Sequence, residues 1–276
     1  MRIKTTENGL IITDENDTGT EEYSVMTGEN GKKYVARNTV SSHYLNISEG
    51  NSKTGEKCIN FNLSIEYSCN HNIECYQKAK CYAEGGCYTF ANNQKKYSEN
   101  VNFFLSESKE TFIQAIQMAI DSFGFDHFRF FTCGDILNTK FFQCMVEIAL
   151  KNPSIKFWSY TKKYSIVNKW IDENGDLPEN LKIIFSHWMN EDGTYYPMEN
   201  PHNLPTSEFI PFGKENLIDK SYHVCPCSDP TVKATCLTCD HPCFDLKNGE
   251  HMALLEHSTK QTKERDKMIK QAKANL

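Results

Sequence analysis

The chain has 276 residues, 39% of them apolar, with 17 Phe, 13 Tyr and 3 Trp, enough bulky side chains for a packed core and too many for a disordered polymer. Thirty basic against 36 acidic side chains leave a net charge of −6, which excludes a surface built as a whole to grip a nucleic-acid backbone or an anionic membrane. No stretch reaches the roughly 18 apolar residues of a membrane span, and Met1-Arg2-Ile3-Lys4-Thr5-Thr6-Glu7 lacks the apolar centre of a secretory signal. A soluble, cytoplasmic protein with no membrane partner is expected.

Residues 1–50 are polar, and Leu10-Ile11-Ile12 and Tyr34-Val35-Ala36 predict small strands or a hairpin without evident chemistry. The segment from Cys58 to Ile65 alternates in polarity and predicts a strand. From about residue 106, Phe112, Ile113, Ile116, Ala119, Ile120 and Phe123 fall on one face of a helix that should stop at Gly124. A short apolar run follows, Phe128-Arg129-Phe130-Phe131, then the polar break Thr132-Cys133-Gly134-Asp135. Helical spacing returns with Phe141, Phe142, Met145, Val146 and Ala149 and ends at Asn152-Pro153.

Ile155-Lys156-Phe157-Trp158 predicts the next strand, Ile166, Val167, Trp170 and Ile171 the next helix, and Leu181 to Phe185 another strand. Strand starts at 128, 155 and 181 lie 27 and 26 residues apart, the length of one strand-plus-helix unit with short loops. The fold class expected is α/β, a partial (βα) TIM-like barrel with a small cysteine-rich C-terminal extension. The organisation expected is a polar β segment over 1–50, the partial barrel over 51–222, the extension over 223–250 and a basic terminal helix over 251–276. Residues 188–222 read as a long ordered loop. From Glu256 to Leu276 there are six Lys/Arg against three acidic residues, a tail that could touch nucleic acid or serve as solvated surface.

Twelve cysteines are the informative excess. Five fall between 58 and 87 and five between 225 and 243; in a reducing compartment such clusters read as thiolate metal sites before disulfides. The first run places Cys69, Cys75, Cys81 and Cys87 at intervals of six. It lacks the C-x(2–4)-C knuckles usual for zinc, so an iron–sulfur cluster is expected there ahead of zinc. Cys225, Cys227, Cys236, Cys239 and Cys243 combine C-x-C, C-x2-C and C-x3-C spacings, the signature of structural zinc or a second iron–sulfur cluster, with His241 an alternative ligand. Cys58 and Cys144 sit in a predicted strand and on a predicted helix face, where packing is the reading, and Cys133 is open between the two. The reactive groups gather after successive strands, where parallel α/β architectures place their ligand sites.

Several features in order resemble the phage gene product 88 family. They are Asn51-Ser52-Lys53-Thr54-Gly55, Phe61-Asn62-Leu63-Ser64, the run ending in Cys81-Tyr82-Ala83, Gly134-Asp135, Phe157-Trp158-Ser159-Tyr160-Thr161-Lys162, and the terminal cysteines, together spanning about residues 50–245. The resemblance further implies kinship with radical S-adenosylmethionine enzymes, in which three cysteines after the first barrel strand hold a 4Fe-4S cluster whose open iron binds the methionine part of the cofactor. Cys69, Cys75 and Cys81 would then be the ligands, Gly134 and Asp135 would contact the amino group, and Lys162 or Lys163 would meet a carboxylate. The spacing departs from that family's C-x3-C-x2-C, being C-x5-C-x5-C. Asp135 reads equally as a helix N-cap partner, and Lys162 and Lys163 as a solvated turn. The expectation is an iron–sulfur protein of phage or mobile-element origin, radical S-adenosylmethionine-like if catalytic. Its substrate is not specified by the sequence, a nucleotide or nucleic acid being the candidate, and it would need an electron donor. The rival expectation is a zinc-stabilised nucleic-acid-binding or interaction protein without catalytic activity.

Overall fold

The computed structural model describes residues 1–14, 23–41, 43–78, 80–229, 232–256 and 267. Strands β1 (Arg2–Thr6) and β2 (Gly9–Thr13) form a hairpin, β3 (Val25–Thr27) and β4 (Lys33–Val35) a separate two-stranded sheet, and β5 (Tyr44–Glu49) runs antiparallel to both β1 and β6 (Ile59–Phe61). Two one-turn helices follow, α1 (Ile65–Ser68) and α2 (Glu74–Gln77), then α3 (Ala91–Ser106) and α4 (Lys109–Phe123). The repeating part is β7 (His127–Phe130), α5 (Thr139–Lys151), β8 (Lys156–Thr161), α6 (Tyr164–Asn174) and β9 (Leu181–Trp188). The chain continues through β10 (Thr206–Ile210), β11 (His223–Val224) and β12 (His251–Leu255).

Ten strands make one sheet in the order β11-β12-β10-β9-β8-β7-β6-β5-β1-β2, parallel from β6 to β11. Because β6 to β9 are spatial neighbours in chain order, right-handed crossovers send their connecting helices to one face. That face carries Phe61, Phe128, Phe130, Phe157 and Phe185, packed with Phe112 of α4, Phe141, Phe142 and Met145 of α5 and Val167 of α6. Phe104 meets Phe112 edge-on with centroids 5.1 Å apart, and Phe61 stacks on Phe141 at 5.9 Å. The opposite face carries Trp158, Ile184 and Met252 of β12, which cluster with Cys58, Cys243, Phe244 and Leu246. The C-terminal cysteine segment thus lies on the side that the helices leave bare.

The α/β class and the run of parallel strands agree with the sequence. The partial TIM-like barrel is not confirmed: the sheet does not close, and among the described residues no pairing joins β2 to β11. The expected loop over 188–222 contains β10, whose register with β9 buries Thr206, Ser207, Glu208 and Ile210. Residues 251–255, assigned by sequence to the terminal helix, are β12, inserted between β10 and β11. The basic tail itself lies outside the described residues apart from Glu256 and Lys267. Among the described residues no helix is long and apolar enough to cross a membrane.

Candidate metal centre and adjoining cavity

The first cysteine run occupies the connection leaving the carboxyl end of β6. Cys69 ends α1, its amide donating to the Ile65 carbonyl at 3.1 Å. Cys75 lies in α2, and its carbonyl accepts the Cys81 amide at 3.2 Å, so six residues of chain fold back on themselves. Cys69 and Cys81 pack against buried Cys133, Ile65 and Ala83 in one small cluster.

Neighbouring strand ends complete this rim. Asn62, just after β6, accepts from the amides of Thr132 and Cys133 at 2.8 and 2.9 Å and from the Thr132 hydroxyl at 2.8 Å, fixing the turn after β7. In that turn Phe131 holds a left-handed φ of 64° and Gly134 a φ of 95°. A Cβ on Gly134 would stand 2.6 Å from the Leu63 carbonyl and 2.9 Å from the Ser68 hydroxyl, so only glycine allows this close approach. Asp135 then accepts the Ile136 amide at 2.7 Å, the Thr161 hydroxyl at 2.6 Å and the Lys162 amide at 2.9 Å. It is not a helix N-cap, because Asn138 caps α5 by accepting the Phe141 amide at 2.9 Å.

The structure therefore brings Cys69, Cys75, Cys81, Gly134, Asp135 and Lys162 to one rim. Burial pushes the Cys69 thiol well up, with the Asp135 carboxylate and then the neighbouring sulfurs adding to it, and pushes Cys81 up to about 12, with Cys75 adding to it. Burial also raises Cys75, against the pull of the Lys162 ammonium. Burial works against the charge on Lys162, but Cys75, Asp135, Cys81 and Cys69 outweigh it and hold its pKa up. The Lys162 ammonium lies 5.4 Å from the Trp188 ring centroid; it is not the solvated turn residue of the alternative reading. Lys163 immediately precedes α6 and donates its amide to the Thr161 hydroxyl at 2.9 Å. Asp135 is raised by burial, against the hydrogen bonds it accepts.

Cys87 departs from the trio. It is exposed and lines a cavity of about 360 Å³ whose wall also includes Cys225, Cys227, Cys236 and Cys243. The second set is pinned from several sides. The Cys225 amide donates to Ala253 of β12 at 2.9 Å, the Cys236 amide donates to Lys53 at 2.8 Å, and the Lys53 ammonium donates to the Cys227 carbonyl. The Cys227 sulfur lies 3.4 Å from the Ala234 carbonyl; its interaction with the neighbouring Cys225 and Cys236 sulfurs lowers both of them and raises Cys227, and Arg129 further lowers Cys236. Tyr160 donates to the Cys243 sulfur at 2.6 Å. Cys239 interacts with the charges of Cys225 and Cys236 but does not line the cavity. His241 faces His223 with ring centroids 4.8 Å apart and lies 3.9 Å from Glu250. Among the described residues no group of three or more His, Cys, Asp or Glu side chains stands in the geometry of a metal cage.

Three participants escape a reading of the sequence. Cys133, open between packing and ligation on sequence grounds, is buried beside Cys69 and Cys81. Glu84 is buried near Cys75 and Cys81, hydrogen-bonded to Asn30 and Tyr34. Arg129 alternates with the phenylalanines of β7, so its strand position alone places it on the cavity face. Cys58 and Cys144 are buried packing residues, as expected.

Residues 29–203, more than half of the chain, match the family model described as gene product 88. The match takes in the first cysteine run, Asp135 and Lys162; Cys225 and the later cysteines lie beyond it, as does the end of the span that the sequence features suggested. No curated protein and no solved structure matches the chain.

Proposed function

We propose that this chain, which belongs to the gene product 88 family, is an iron–sulfur protein that binds a 4Fe-4S cluster through Cys69, Cys75 and Cys81 and acts on S-adenosylmethionine. The observation that carries the reading is that Cys69, Cys75 and Cys81 lie within electrostatic reach of one another and of Lys162 and Asp135 at the carboxyl rim of parallel strands. The donor type fits, since soft sulfur ligands suit iron–sulfur chemistry, and Cys69, Cys75 and Cys81 would hold the cluster. Bound there, the cluster would supply one-electron reduction of S-adenosylmethionine, with the electron drawn from an external donor protein. Lys162 provides an ammonium for a carboxylate, and Asp135, with one hydrogen bond on Oδ2 and two on Oδ1, offers its remaining lone pair to an amino group. Asn62 and Gly134 position the turn that presents Asp135. Burial keeps the unloaded thiols protonated, so metal uptake releases protons and orders the loop around them.

The second set is read as a structural centre, zinc or a further cluster on four of Cys225, Cys227, Cys236, Cys239 and Cys243, because it is anchored by Phe244 and Leu246 against the sheet. A zinc-stabilised nucleic-acid-binding protein is the outcome that competes. Anaerobic purification with iron, sulfide and zinc analysis decides between them. Iron with inorganic sulfide, lost in Cys81→Ala while the fold persists, and an electron paramagnetic resonance signal altered by S-adenosylmethionine support the proposal. A colourless protein with stoichiometric zinc and no sulfide, after reconstitution, overturns it.

A further inference from the structure

The cavity beside Cys87 has an unusual charge balance. In a chain with an acidic excess, its lining includes Lys53 and Arg129 and, among the described residues, no carboxylate. Arg129 projects from the middle of β7 with its guanidinium 5.0 Å from the Tyr160 ring centroid, and its Nε is buried without a hydrogen-bond partner. Cys236 takes one hydrogen bond from the guanidinium, which carries five donors in a planar fork. No carboxylate pairs with it among the described residues. A buried charge that is only partly paired is costly, and the Cys236 sulfur meets only part of the fork while Nε has no partner, so its further complement is an anion that enters from outside. Arginine forks bind phosphate and carboxylate in a bidentate manner.

The remaining wall suits a flat ring. Tyr82, Tyr88 and Tyr160 line the space, with Tyr82 and Tyr88 in edge contact at 5.7 Å between centroids. Tyr82 is steadied by donating to the Thr132 carbonyl at 2.7 Å, and Tyr160 by its bond to Cys243. The cavity volume, about 360 Å³, lies in the range of small-molecule sites. It lies beside the Thr132 turn that continues into Gly134 and Asp135, with the second cysteine set as its other wall.

We propose that this cavity binds a flat-ringed organic anion, with Arg129 taking its phosphate or carboxylate and the tyrosines holding its ring. That the anion is the substrate rests on the proposed function above; that it binds does not. The test is calorimetric titration of the full chain, both metal-free and metal-loaded, with adenosine monophosphate against adenosine and with benzoate against benzamide. The first pair reads phosphate and the second carboxylate. The expected result is saturable binding of at least one anion, with its neutral partner weaker by about tenfold or more. Arg129→Gln and, separately, the milder Lys53→Gln should weaken the anion and leave the neutral partner unchanged. Metal content per chain, measured on the same samples, should remain that of the wild type. Equal binding of anion and neutral partner, no binding of either anion, or loss of metal without loss of anion affinity in Arg129→Gln overturns the proposal; the last outcome would make Arg129 a counter-charge for Cys236. A colourless protein that still binds the anion would overturn the cluster and leave the cavity standing, whereas an iron-loaded protein indifferent to both anions would do the reverse.

Discussion

The carboxylate of Asp135, in the turn after β7, accepts the backbone amide of Lys162, just past the end of β8, at 2.9 Å. With the Thr161 hydroxyl and the Ile136 amide also donating to it, one buried side chain ties two strand ends that the sheet no longer pairs. Asp135→Ala leaves those donors unsatisfied and should lower unfolding free energy by about 3 kcal/mol. Asp135→Asn, which retains one acceptor oxygen, should cost about half as much. Urea denaturation of the metal-free proteins measures both.

A second buried charge lies at the far side of the sheet. Arg2 donates to both oxygens of Glu99 at 2.6 and 2.8 Å, Asn46 donates to Glu99 at 2.9 Å, and Tyr44 lies under the guanidinium at 3.7 Å. Removing one member strands the other, so Glu99→Ala should destabilise by about 3–5 kcal/mol. The double change Arg2→Met with Glu99→Leu should recover most of that loss. A thermodynamic cycle on the four proteins would expose a pair of no consequence by simple additivity.

Two glycines with positive φ should respond differently to the same methyl group. At Gly124, with φ +62° at the end of α4, an added Cβ would find no heavy atom within 4 Å, whereas one on Gly134 would meet backbone oxygen. Gly124→Ala should cost about 1 kcal/mol from backbone strain alone. Gly134→Ala must also displace the Leu63 strand end, costing about 3 kcal/mol or more, and should reduce metal uptake at the trio. Paired thermal melts and metal analysis read the two effects separately.

Glu84 sets a pH dependence. Burial pushes its carboxyl from the ordinary value up to about 7, outweighing Lys32 and the hydrogen bonds from Tyr34 and Asn30. Below about pH 4.5 the folded and unfolded chains both hold this proton. Between about 4.5 and 7 the folded chain holds a proton that the unfolded chain has lost, so stability falls as pH rises through that window and then levels off. Glu84→Gln should remove this component, making the metal-free variant more stable than the wild type at pH 8 and little different at pH 4. Identical pH profiles would show that Glu84 is ionised in the fold.

The legible part of the fold is the part built by apolar periodicity. β7, α5, β8, α6 and β9 each bury a conventional hydrophobic face, and their spacing reveals the ladder. Helix α3 is illegible because much of what it buries is polar. Glu99, Asn100 and Asn102 enter a hydrogen-bond network with Arg2, Asn46, Asn62 and Arg37, which no hydropathy pattern can announce. β10 hides for a similar reason, since its buried side chains include Thr206, Ser207 and Glu208. At the site, cysteine spacing marks the trio, but the separation of Cys87 from it depends on the turn at Gly85-Gly86, which carries the chain from the short 3-10 turn at Tyr82–Glu84 to the cavity wall. Arg129 passes as part of an apolar run because its neighbours on the strand face the other way.

The insertion of β12 between β10 and β11 imposes an order on assembly during synthesis. A nascent chain extruded only to residue 250 contains every cysteine but has one bare edge on β10 and no neighbour for β11. The ribosome therefore delivers the thiol-rich segment before the strand that locks it against the sheet.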